Sequence, residues 1–129
     1  MAGQLTIDTL KASSGVLATQ NGMTGIAKSW VVFDGATGST TTIKASFNVS
    51  SVTYTSGGTY VVNFTTAMPS ANYAISGSAG WDGTNYLFMN IRATGSINTP
   101  PTASSCTIYT STSGGTSASN WVSAVFHSL

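Results

Sequence analysis

Carboxylates, thiols and imidazoles, the side chains most often used as acid, base or metal ligand, are few in this 129-residue chain. They are Asp8, Asp34, Asp82, Cys106 and His127, and there is no glutamate. Hydrolysis by paired carboxylates needs two acids that the fold places together. Asp34 and Asp82 each precede a glycine in a turn pattern, where an aspartate side chain normally caps the turn. Asp8 lies in a thinly apolar N-terminal segment. A nucleophilic pair of Cys106 with His127 would have to be assembled by the fold, and Cys106 has no basic sequence neighbour to lower its pKa. One chain holds too few ligands for a metal site. Gly57-Gly58 and Gly114-Gly115 lack the following lysine and helix of a phosphate-binding loop. The expectation is a protein that is not an enzyme and needs no metal or cofactor.

Recognition by aromatic side chains is the chemistry that remains. Three tryptophans and five tyrosines offer large, stiff contact surfaces for sugar or protein. Trp30, Tyr60, Phe64 and Trp121 fall in strand-like runs and are expected in the core. Trp81, Asp82, Asn85 and Tyr86 fall in or beside a turn and are the expected ligand-binding residues, with the loop 111–120 second.

Composition narrows the partners. Only 5% of residues are charged and the net charge is +1, against about 25% charged in an ordinary soluble domain. A nucleic-acid binder clusters lysine and arginine against phosphates, whereas Lys11, Lys28, Lys44 and Arg92 are scattered, so no nucleic acid is expected. Little net charge leaves little repulsion between copies and favours association. Cys106 is the single cysteine, which allows no disulfide within the chain and fits a reducing cytoplasm or a buried site. No run is long enough to span a bilayer as a helix. The first residues show neither the basic nor the apolar region of a secretory signal.

These side chains must be positioned by strands. Ser and Thr make up roughly a third of the chain, a bias that suits strands joined by short turns. From Ile26 to Phe33 the chain is apolar on both faces after Trp30. Ile43, Ala45, Phe47 and Val49 form an alternating run. Val52–Tyr54 and Tyr60–Phe64 read as the arms of a hairpin across Thr55–Thr59. Tyr73, Ile75 and Gly77 alternate again, Tyr86–Ile91 is apolar on both sides, Thr107–Thr110 is a short strand, and Trp121–Phe126 closes the series. About eight strands at this spacing predict an all-β, antiparallel, jelly-roll-like β-sandwich over 26–129. Residues 1–25, where Leu5, Ile7 and Leu10 are interrupted by Gly15, Gly22 and Gly25, are expected to form an extended N-terminal arm for attachment or oligomerisation.

The ordered series GIAKSWVVFDG (25–35), SFNVSSV (46–52) and YVVNFTTAMPSANY (60–73) resembles a module of bacteriophage tail fibre and tail-associated structural proteins. The matching positions are Ala27, Lys28, Trp30, Phe33, Ser46–Val52, Tyr60, Val62, Phe64, Met68, Pro69, Asn72 and Tyr73. The leader LTIDTLKASSGVLATQNGMTG is similar to those that precede the module in marine phage proteins. The resemblance implies a virion component made in the host cytoplasm and a homotrimer. The apolar residues of the leader and of the two-faced first strand make Leu5, Ile7, Leu10 and Trp30 the expected assembly residues. Its other partners would be a tail adaptor or capsid and a host surface glycan or protein, with no membrane insertion. A tail fibre or receptor-binding role is the leading expectation; a capsid decoration (cement) protein is the alternative.

Overall fold

The structure is a computed structural model that describes residues 26–36, 40–80, 84–91 and 100–129. The expected N-terminal arm, with Leu5, Ile7 and Leu10, lies outside the described residues, as do Trp81 and Asp82. Among the described residues there are nine strands and no helix. They are β1 (Ala27–Asp34), β2 (Thr42–Phe47), β3 (Val49–Ser56), β4 (Thr59–Phe64), β5 (Tyr73–Ala79), β6 (Phe88–Asn90), β7 (Ser105–Thr112), β8 (Gly115–Thr116) and β9 (Val122–Ser128).

Two antiparallel sheets pack face to face as a β-sandwich, in strand orders β2-β1-β9-β5 and β3-β4-β7-β6, with β8 added to β7 as a short hairpin. β1 and β9 pair at the centre of the first sheet. Alternation sets the core. Val31 and Phe33 of β1 and Val122, Ala124 and Phe126 of β9 meet Tyr60, Val62 and Phe64 of β4 and Cys106 and Ile108 of β7. Edge-to-face ring pairs join the two sheets, Phe33 with Tyr60 and Phe64 with Phe126, each with centroids 5.0 Å apart. Tyr73 completes a three-ring cluster with Phe64 and Phe126.

The hairpin β3–β4 forms as its alternation predicts, with a tighter connection. Ser56 pairs with Thr59 across Gly57-Gly58, and Gly58 has φ 75°, a left-handed conformation that glycine takes without steric cost. The run from Ile43 to Val49 is not one strand. Phe33 pairs with Ile43 but Val32 with Ala45, so Lys44 is the extra residue of a bulge. An extra residue reverses which face later side chains take. Ile43 packs against the core, while Ala45 and Phe47 share the outer face with Val32 and Trp30. Asn48 then turns the chain from the first sheet into the second with φ 56°.

Asn48 is a clamp as well as a corner. Its Nδ2 donates to Lys28 O and to Thr66 O, each at 3.0 Å, and its Oδ1 accepts from Thr66 N at 2.7 Å. Its carbonyl accepts from Thr65 N at 3.2 Å and from Ser29 Oγ at 3.3 Å. One side chain thus ties β1, the sheet crossing and the β4–β5 loop. Met68 of that loop is buried in the core and donates its N–H to Ala103 O at 2.7 Å.

Candidate functional site

Registers define two ends of the sandwich. At one end lie Ala27 paired with His127, Tyr73 with Ser128, Val49 with Phe64 and Asn63 with Ser105. β1 begins here, and Asn48 sits at this end. At the other end lie the close of β1, the Gly57-Gly58 turn, the close of β5, the β7–β8 hairpin and the start of β9. Phe88 pairs with Ser111, so Thr84–Tyr86, which precede β6, also project from this far end.

The far end is knit by Ser119 and Tyr60. Tyr60, fully buried, donates its hydroxyl to Gly35 O at 3.1 Å and accepts from Ser119 N at 3.4 Å. Burial pushes the Tyr60 phenol above its ordinary pKa, so it stays a donor. Ser119 O accepts from Gly35 N at 2.9 Å. Ser119 Oγ donates to Trp121 O at 2.8 Å and accepts from Trp121 N at 3.2 Å and from Gly80 N at 3.1 Å. Gly80 N also reaches Trp121 O at 2.7 Å. Within the loop 111–120, Ser119 is buried and Thr110 Oγ1 holds Ser117 O at 2.5 Å, whereas Ser113–Thr116 and Asn120 are exposed.

Of the four residues expected to bind ligand, Asn85 and Tyr86 are described, and both are exposed. Tyr86 is 84% exposed and Phe88, two residues on, 63%. Two tryptophans expected in the core are elsewhere. Trp30 alternates with buried Val31, so it lies half-buried on the outer face of the first sheet, in a cross-strand row with Phe47 and Val125. Trp121 precedes β9 in the same alternation as Ser123 and Val125 and is 50% exposed. Lys44 Nζ stands 5.5 Å from its ring centroid and 3.9 Å from Asp34 Oδ2. Asp34 caps its turn as its sequence position predicts, Oδ1 accepting Ala36 N at 3.0 Å. The Trp121–Lys44–Asp34 group was not legible beforehand, because the bulge that places Lys44 leaves no pattern in the residue types.

The fold does not assemble a Cys106–His127 pair. Cys106 points into the core from β7, whereas His127 alternates with buried Phe126 and faces outward from β9. Burial raises the Cys106 thiol from 9.0 to about 11 and lifts Tyr73 beyond its ordinary range, with Cys106 adding to the effect. Cys106 is thus a packed hydrophobe at neutral pH. Iodoacetamide at pH 8 is expected to leave it unmodified in the native protein and to label it fully in denaturant, by intact mass. The same shift links stability to alkaline pH. The folded thiol keeps its proton where the unfolded one loses it, so this contribution is intact below pH 9.0 and lost as pH rises to about 11. Denaturant melts should show stability falling across that window in both proteins, with the wild type losing about 2 kcal/mol more than Cys106→Ala.

Among the described residues no three His, Cys or Asp side chains converge, and no helix is long and apolar enough to cross a membrane. No protein-family model, curated protein or solved structure matches the chain.

Proposed function

We propose that this protein is a non-enzymatic structural component of a bacteriophage virion, a tail fibre or receptor-binding element that contacts the host surface. The supporting observation is the opposition of the two ends: β1 begins at one, and exposed Tyr86, Phe88 and Trp121 stand at or beside the other, Phe88 and Trp121 on the outer faces of opposite sheets. An anchor and a recognition tip need that separation. The resemblance of residues 25–73 to phage tail modules supplies the class of particle.

Assembly as a homotrimer would use the part of the first sheet's outer face nearer the start of β1, which leaves Trp121 at the far end uncovered. Phe47, Trp30 and Val125 form a continuous cross-strand row there, with Val32 and Ala45 beside it. Apolar area removed from water stabilises by about 25 cal/mol per Å2, so covering this row would add to a small core. Light scattering at micromolar concentration is expected to give a trimer. Phe47, 39% exposed, tests the face without touching the core. Phe47→Ser should shift the mass toward monomer while the circular dichroism spectrum stays unchanged; a wild-type monomer would exclude the trimer.

Immunogold labelling of intact particles under the electron microscope tests the virion role. Label at the tail is the expected result. Label spread over the head would make the protein a capsid decoration component, and absence from every particle would overturn the virion reading.

A further inference from the structure

Trp121 is a poor core residue and a well-held surface one. Half of its side chain meets water, yet its backbone is held on both sides by Ser119 and Gly80, and its Cβ lies against Gly80. The indole is therefore presented from a fixed main chain. Rigid aromatic surface binds at low entropic cost, because little freedom remains to be lost. Beside it are a donor and an acceptor of opposite charge. Lys44 is an ammonium with three N–H donors and lies over the ring. Asp34, within 3.9 Å of Lys44, is held in place by Ala36 N and keeps acceptor capacity on its carboxylate. Further along the same outer face Ser78 and Ser123 pair their hydroxyls at 2.9 Å, and Asn120 is exposed next in sequence.

We propose that Trp121, Lys44 and Asp34 form a saccharide subsite that takes one pyranose residue of a host surface glycan. A pyranose has an apolar C–H face and a rim of hydroxyls. The face matches an exposed indole, and the rim matches a neighbouring ammonium donor and carboxylate acceptor. A nucleic-acid base would also stack, but its phosphates need clustered cations, and here one lysine stands beside one aspartate. A protein partner would favour the broader apolar row of Phe47, Trp30 and Val125 on this face, which the proposed trimer covers, over a single indole with a charge pair beside it. The subsite rests on the receptor-binding reading and names its ligand class.

The test is an array of bacterial O-chain and capsular oligosaccharides probed with the purified full-length protein. Wild type is expected to bind a subset. Trp121→Ala should weaken that binding at least tenfold, Trp121→Phe should retain most of it, and Lys44→Gln should weaken it several-fold. The backbone bonds of residue 121 do not need its side chain, so Trp121→Ala should melt close to wild type, which separates lost binding from lost fold. Equal binding by wild type and Trp121→Ala would overturn the subsite, as would no binding of wild type to any oligosaccharide. Tail labelling with an empty array would overturn the saccharide alone. Trp121-dependent binding by a protein absent from the particle would overturn the virion role and leave the subsite standing.

Discussion

Asn48→Ala is expected to destabilise the fold by about 3 kcal/mol, read from the denaturant midpoint at unchanged slope. Two effects combine. Asn48 occupies a left-handed conformation, φ 56°, which costs an ordinary residue about 1 kcal/mol more than it costs asparagine or glycine. Its side chain also makes the bonds to Lys28 O, Thr66 O and Thr66 N, and their loss from a partly buried corner accounts for about 2 kcal/mol. Asn48→Gly separates the two, since glycine accepts the conformation but supplies no bonds. It should lose about 2 kcal/mol. Asn48→Asp keeps the acceptor for Thr66 N but turns an oxygen toward two carbonyls, so at neutral pH it should be less stable than the wild type. If alanine and glycine prove equally mild, the corner is not the clamp described above.

Gly35→Ala should be at least as damaging, at about 3 kcal/mol or more. A Cβ at residue 35 would lie 2.5 Å from Tyr60 Cε1 and Cζ and as close to the hydroxyl. Tyr60 is fully buried and fixed by Gly35 O and Ser119 N, so the ring has nowhere to move. The added methyl must break the hub that holds β1, β5 and β9 together at the far end. Tyr60→Phe removes only the hydroxyl and should cost about 1.5 kcal/mol. The double variant should fall short of the sum, because both changes strike one contact. Phenylalanine still presents the ring carbons that clash, so it should not restore wild-type stability. A Gly35→Ala protein that melts like the wild type would refute the close packing.

The motif positions gain a physical meaning from this architecture. Phe33, Tyr60, Val62, Phe64, Met68 and Tyr73 are core, and Asn48 is the corner between sheets. A pattern made of such residues reports on fold, and it is silent on what the exposed end touches. The virion reading therefore rests on resemblance together with the placement of the ends, and the saccharide subsite on residues largely outside the motif.

Strand identity and the all-β sandwich were legible from local alternation, because a period of two commits neighbouring side chains to opposite faces within a few residues. The β3–β4 hairpin and β5 follow that rule in their residue types. β1 and β9 alternate in burial, although β1 reads as apolar on both faces, and β7 is buried on both faces. Asp34 caps its turn as its position predicts. Which face of a strand is covered was not legible for Trp30 and Trp121, since it depends on where the second sheet packs. The break at Asn48 and the bulge at Lys44 were hidden for a related reason. Alternating residue types run straight through both, and only the pairing of β2 with β1 and the bonds from Asn48 to Lys28 and Thr66, eighteen to twenty residues away, reverse the face. Short-range periodicity thus determined the elements, and long-range pairing alone decided that Trp121 would stand in water beside Lys44 and Asp34.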